Sequence, residues 1–85
     1  MFAVLGFNSK AQTDKALIRQ GNNDFKKGDY SEAEVKYNKS LDIEYNPKAQ
    51  FNLGDALYEQ GNYEAAEKNF SELTKRKTSK NIESD

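Results

Sequence analysis

The chain has 85 residues, of which 35% are hydrophobic and 32% are charged, and its formal net charge is −1. A chain of this length forms one small domain that buries only about 60–65% of its unfolded surface. Both signs of charge are interleaved along the sequence, so no basic surface favours nucleic acid or an anionic membrane. Histidine and cysteine are absent, which removes the commonest general base, the thiol nucleophile and the soft metal ligands. We therefore predict a protein that is not an enzyme and that binds no cofactor, metal or nucleic acid.

Residues 1–12 stand apart from the rest of the chain. An apolar run at residues 2–7 is followed by polar residues that include the small-residue site Ser9-Lys10-Ala11. This arrangement is typical of the end of a signal peptide, although the basic residues that normally precede it are missing. Two interpretations stay open. The segment is the remnant of a signal peptide of an exported, periplasmic protein, or it is an apolar arm of a cytoplasmic protein that packs on the first hairpin.

Two helices are predicted in the first half of the chain. Thr13 can cap a helix over residues 14–27. Ser31 and Glu34 have the spacing of a capping box, which predicts that a second helix begins at Ser31 and covers residues 31–44. The positions expected to face inward are Leu17, Gly21 and Phe25 on the first helix and Ala33, Tyr37, Ser40 and Leu41 on the second.

A second pair of helices is predicted in the other half. Asn46 can cap a helix over residues 47–60, and Pro47 occupies its first position, where a missing N–H does no harm. A glycine and an asparagine separate it from a fourth helix over residues 64–76. The expected inward positions are Ala49, Leu53, Ala56 and Leu57, followed by Ala66, Phe70 and Leu73. Residues 78–85 are predicted to be a disordered tail or a linker to a missing repeat.

The two predicted hairpins repeat one pattern with an offset of 33 residues. Glycines, aromatic residues and an alanine recur in one register without a gap, which two unrelated amphipathic segments rarely achieve. The matched pairs are Gly21 and Gly54, Phe25 and Tyr58, Gly28 and Gly61, Tyr30 and Tyr63, Ala33 and Ala66, and Tyr37 and Phe70. On these residues the sequence resembles the tetratricopeptide repeat (TPR) family. The resemblance implies an all-α fold of two tandem helix-turn-helix hairpins, residues 14–46 and 47–77.

Two features depart from the usual pattern of that family. The offset is 33 residues, whereas TPR units usually repeat at about 34 residues. Gln20 and Asp24 occupy positions on the first helix where the family favours apolar residues. We therefore expect this face of the first helix to meet water.

In TPR proteins the first helix of each hairpin lines a concave groove, which binds an extended peptide or a helix of a partner protein. The resemblance therefore implies a scaffold for protein–protein interaction. Ile18 and Phe51 are the expected apolar anchors, whereas Phe25 and Tyr58 are equally consistent with interhelix core. By position, the groove residues are Ile18, Asn22, Phe25 and Lys26 in the first hairpin and Phe51, Asn52, Asp55, Tyr58 and Glu59 in the second.

Two narrower resemblances concern the partner. Asn22 and Asn52 match two polar positions of the TPR carboxylate clamp, which holds chaperone C-termini, but Ile18 replaces the lysine of that clamp, so we do not predict that ligand. Segments 17–22 and 51–58 look like the TPR proteins of bacterial aerotolerance (Bat) operons, which are exported and work with membrane-anchored partners. That resemblance adds a membrane-anchored protein to the predicted partners.

An alternative function is a structural or oligomerising module, or a piece of a longer TPR array, that has no separate ligand. Repeat arrays typically need about three units to cover their terminal apolar faces. Ala65 and Leu73 are expected to face the place where a third repeat would pack. We therefore predict a homodimer, or closure of the open face by the N-terminal arm.

Overall fold

The computed structural model describes residues 13–84, and this part of the chain forms four α-helices without a strand. Helix α1 spans Asp14–Lys26, α2 spans Tyr30–Ile43, α3 spans Pro47–Glu59 and α4 spans Tyr63–Ser84. Each helix packs against the next one along the chain. The predicted all-α fold of two tandem hairpins is therefore confirmed. Residues 1–12, with the two interpretations given to them, lie outside the described residues.

Two helix starts follow the capping chemistry that the sequence predicts. The Thr13 hydroxyl accepts a hydrogen bond from the backbone N–H of Ala16 at 3.1 Å. At α3 the side-chain oxygen of Asn46 accepts one from the N–H of Lys48 at 2.8 Å, and Pro47 is the first helical residue. Each side chain satisfies a backbone donor that has no partner within its own helix. None of the helices in the described range is long and apolar enough to cross a membrane.

The predicted start of α2 at a capping box is wrong. The helix begins at Tyr30, and the residue before it, Asp29, makes no side-chain capping bond. The preceding turn explains the difference. Gly28 has a φ of 85°, a conformation that glycine adopts without steric cost, and the Asp29 N–H donates to the carbonyl oxygen of Asp24 at 2.8 Å. This turn closes the end of α1 and places Ser31 inside the first turn of α2.

The predicted end of α4 is also wrong. We expected the fourth helix to stop near residue 76, with residues 78–85 as a disordered tail or a linker to a missing repeat, but the helix continues to Ser84. The sequence contains no glycine or proline between Tyr63 and Ser84. Its lysine and glutamate residues are good helix formers, so nothing in the local chemistry ends the helix earlier.

The core lies between the two hairpins and is built mainly from small and aliphatic side chains. Tyr37 is the largest side chain that is fully buried. Its ring lies against Gly21 of α1, and the ring of Phe70 lies against Gly54 of α3 in the same way. The buried apolar residues are Leu17, Ala33, Tyr37, Ala49, Leu53, Ala56, Leu57 and Ala66. Phe70 is only partly buried and packs on the edge of this core.

The same turn geometry occurs once in each hairpin. Gly28 and Gly61 both have positive φ, 85° and 82°. An aromatic pair closes each turn: the rings of Phe25 and Tyr30 are 4.9 Å apart, and those of Tyr58 and Tyr63 are also 4.9 Å apart, both edge to face. The 33-residue offset in the sequence therefore corresponds to a repeated three-dimensional unit.

Candidate functional site

A shallow depression of about 240 Å³ opens where α1, α2 and α3 meet. Both first helices of the hairpins contribute to it, and α2 supplies one aromatic residue between them. Its lining residues are Asn22, Phe25, Lys26, Tyr37, Asn52 and Asp55. The structure thus brings together five of the predicted groove residues. Tyr37, which the sequence predicted as a core residue of the repeat signature and not as a groove residue, belongs to the same depression.

The two predicted asparagines are in direct contact. Oδ1 of Asn22 accepts a hydrogen bond from the Tyr37 hydroxyl at 2.6 Å and a second one from Nδ2 of Asn52 at 3.2 Å. A single amide oxygen therefore joins α1, α2 and α3. This arrangement fixes both amides, and within the described residues neither Nδ2 of Asn22 nor Oδ1 of Asn52 has a hydrogen-bond partner. One donor group and one acceptor are thus left for a ligand.

Tyr37 is the buried member of this hydrogen-bond network. Burial, followed by the negative charges of Asp55 and Asp24, raises the pKa of its hydroxyl from 10.0 to about 12. The hydroxyl therefore keeps its proton at neutral pH and serves as the donor to Asn22. Sequence reasoning missed this role. A signal was present, because the equivalent residue in the second hairpin is Phe70, which has the same ring without the hydroxyl.

Asp55 supplies negative charge on the α3 side of the depression. Its side chain is half-buried, and burial, with a further contribution from the charge of Glu59, raises the pKa of its carboxyl group. Glu59 follows one turn later on α3 and is exposed. Among the described residues, no group of three acidic side chains is placed to hold a metal ion.

Some predicted groove residues, among them Ile18, Phe51 and Tyr58, do not line the depression. Ile18 is half-buried, whereas Phe51 is 48% exposed and its ring lies 5.5 Å from that of Phe70. The two aromatics that sequence reasoning left between core and groove behave differently. Phe25 is half-buried against the core and also lines the depression, while Tyr58 is 56% exposed and outside it.

Asp24 is less exposed than the sequence suggested. Its side chain is only 15% exposed, and Nζ of Lys36 lies 2.9 Å from its Oδ2. Lys36 comes from α2, so the ion pair ties the first two helices together. Gln20, the other polar residue on that face, is half-buried. The expectation that this face of α1 meets water is therefore met only in part, because both residues are half-buried.

Comparison with known proteins identifies the repeat itself. A family profile described as tetratricopeptide repeat matches residues 24–80. Searches among curated proteins and among solved structures give no match, and the narrower resemblance to the aerotolerance proteins gains no support. TPR units are in general non-catalytic and mediate protein–protein interaction. With this match over more than half of its length and two hairpins of the expected geometry, the chain belongs to the tetratricopeptide repeat family.

Proposed function

We propose that the face formed by α1 and α3 binds an extended peptide or a helix of a partner protein. The observation that carries this proposal is the amide pair of Asn22 and Asn52. Their mutual hydrogen bond, reinforced by Tyr37, holds one amide donor group and one acceptor at the surface of the depression. An extended peptide offers the complementary N–H and C=O groups along its main chain, so the pair is suited to fix a peptide backbone.

The apolar residues next to the amides have a separate role. Phe51 is large, nearly half exposed and held in place by its contact with Phe70. A pre-positioned aromatic side chain of this kind supplies desolvation energy at little cost in side-chain entropy. Ile18 occupies the equivalent position on α1, one repeat earlier. We assign the remaining predicted groove residues Phe25, Lys26, Asp55, Tyr58 and Glu59 to the walls and rim of the same binding face.

Replacing Phe51 by Ala should weaken peptide binding by about tenfold or more, as expected for an aromatic anchor. The domain should remain folded because the ring is already half exposed. The measurement is titration calorimetry with a peptide selected from a displayed random library for binding to the 85-residue chain, together with a thermal melt followed by circular dichroism.

Val35→Ala is the matched control for this variant. Val35 is 43% exposed, close to the value for Phe51, but it lies two residues before Tyr37 and therefore on the opposite side of α2. Its replacement should leave binding unchanged. Equal affinity of the Phe51→Ala and wild-type chains would contradict the assignment of Phe51 to the binding face, and unfolding of that variant would show that Phe51 is a core residue.

The second candidate function is self-association through the outer side of α4. Tyr37 is 1% exposed and Ser40 is fully buried, because α3 packs over α2. At the equivalent positions of the second hairpin, Phe70 and Leu73 are only half-buried. The second hairpin thus leaves apolar surface uncovered where the first hairpin is covered, and we propose a homodimer at this surface as the alternative to a separate ligand.

Sedimentation velocity at several concentrations tests this homodimer. We expect the sedimentation coefficient of the wild-type chain to rise with concentration and that of Leu73→Gln to stay at the monomer value. Glu72→Gln changes the neighbouring exposed residue and serves as the control. A wild-type chain that remains monomeric at the highest concentration contradicts the homodimer.

Three expectations stay predictions: closure by an N-terminal arm, export, and a membrane-anchored partner. They depend on residues 1–12 or on the aerotolerance resemblance.

A further inference from the structure

Two partly buried carboxylates lie near the depression, and they differ in their counter-ions. Asp24 has Lys36 at 2.9 Å. Asp55 has no such partner: the ion pairs among the described residues join Lys36 to Asp24 and Glu32, and Arg76 to Glu72. Within residues 13–84, one of these two carboxylates therefore has an ion-pair partner and the other has none.

The surroundings of Asp55 do not compensate for this charge. Glu59, one turn later on the same helix, adds a second negative charge. From α2, Tyr37 faces the depression with a neutral hydroxyl that is already bonded to Asn22. From α1, Lys26 lines the same depression, but it is exposed and forms no ion pair with Asp55. Partial removal of a carboxylate from water is unfavourable unless a cation or hydrogen-bond donors replace the lost hydration.

We propose that the depression receives a lysine or arginine side chain of the partner peptide, which pairs with Asp55 and Glu59. The inference rests on the proposed function, because it assigns the chemistry of the ligand to the face already described. The amide pair of Asn22 and Asn52 lies beside Asp55 in the same depression, so the main chain of the cationic residue can bind the amides while its side chain reaches the carboxylates. Hydrogen bonds between a cation and a carboxylate are stronger than neutral ones.

The same charges disfavour an acidic ligand. A peptide that presents a carboxylate at this point would meet Asp55 and Glu59, and like charges in contact oppose binding. On α1, Ile18 offers no positive charge, and Lys26 at the rim of the depression is exposed, so water weakens its attraction for an acidic ligand. The occupant is therefore an extended peptide with a basic residue at the position that enters the depression.

The test is a double-mutant cycle between chain and peptide. Peptides from a displayed random library are selected for binding to the 85-residue chain. Each binder is then synthesised in two forms, one with its basic residue and one with Gln in its place. We expect selected peptides to carry Lys or Arg at one shared position, and the Gln replacement to weaken binding to the wild-type chain by about tenfold. On Asp55→Asn the same replacement should have a clearly smaller effect, of about threefold, because the cation then keeps only the exposed Glu59 as a partner.

Two controls keep the result interpretable. Asp42→Asn makes the same substitution at an exposed residue of α2 outside the depression, and there the full tenfold effect should persist. The carboxyl carbon shift of Asp55, followed by NMR across pH, gives an independent readout, because a bound cation should lower the pKa of this group.

The outcomes separate the two proposals. Peptides that need Phe51 for binding but tolerate Gln in place of the basic residue would overturn the cationic ligand and leave the peptide groove intact. An equal effect in Asp55→Asn and Asp42→Asn would overturn it as well. If no peptide of any composition binds the face of α1 and α3, the proposed function fails, and the cationic ligand fails with it.

Discussion

Replacing Tyr37 by Ala is expected to lower the free energy of unfolding by about 3–5 kcal/mol. Tyr37 is 1% exposed and is the largest side chain that is fully buried. Within its own hairpin it contacts Gly21 of α1. It also belongs to the core cluster that contains Leu53 and Leu57 of the second hairpin. Its removal would leave a cavity at the junction between the two hairpins. Since domains of this kind are stable by only about 5–15 kcal/mol, the loss would remove a large share of the total.

Two other substitutions separate the contribution of the ring from that of the hydroxyl. Tyr37→Phe keeps the ring and removes only the hydrogen bond to Asn22, so it should cost about 1 kcal/mol. Oδ1 of Asn22 would still accept from Asn52. Phe70→Ala, at the equivalent position of the second hairpin, should cost less than Tyr37→Ala because that ring is only partly covered.

Urea denaturation followed by circular dichroism gives these free energies. The expected order of loss is Tyr37→Ala, then Phe70→Ala, then Tyr37→Phe. If Tyr37→Ala and Tyr37→Phe were equally stable, the ring would contribute nothing, and the description of Tyr37 as the centre of the core would be wrong.

Much of the fold was predictable from local patterns. A helix cap such as Thr13 or Asn46 acts within three residues of its own position, so its effect can be read from the sequence. The start of α2 was not predictable in this way. Ser31 and Glu34 carry the pattern of a cap, but the turn at Gly28 determines where the helix begins, and that turn depends on a hydrogen bond back to Asp24.

The site was predictable in its positions and less so in its interactions. The resemblance to TPR proteins placed Asn22 and Asn52 in one groove, and the structure shows them bonded. Periodicity could not show that Tyr37 donates to Asn22 or that Lys36 neutralises Asp24, because both partners come from a different helix. Such contacts depend on how two helices face each other, whereas a periodic pattern describes one helix at a time.

Gly21→Ala is expected to destabilise the domain although alanine is the better helix former. A Cβ atom at residue 21 would lie 2.6 Å from Cε1 and 2.9 Å from Cδ1 of the Tyr37 ring. The ring is buried in the core and cannot turn aside without disturbing its neighbours. Overpacking of this kind costs about 1–3 kcal/mol, which outweighs the gain of up to about 1 kcal/mol in helix propensity.

Gly28→Ala provides a comparison with a different physical cause. Nothing lies within 4 Å of a Cβ atom placed at residue 28, but its φ of +85° is strained for any residue with a side chain. The expected cost is about 1–2 kcal/mol and comes from the backbone alone. The two glycine substitutions can therefore have similar total effects for unrelated reasons.

A second substitution at Tyr37 distinguishes the two causes. In the background of Tyr37→Leu the aromatic atoms nearest to residue 21 are gone, so Gly21→Ala should cost much less than in the wild-type chain. Gly28→Ala should cost the same in both backgrounds, because sites that share no contacts behave additively. Denaturation of both glycine variants in each background, together with the wild-type chain and Tyr37→Leu alone, measures both couplings. If Gly21→Ala were equally costly beside tyrosine and leucine, close packing against the ring could not be the reason that residue 21 is a glycine.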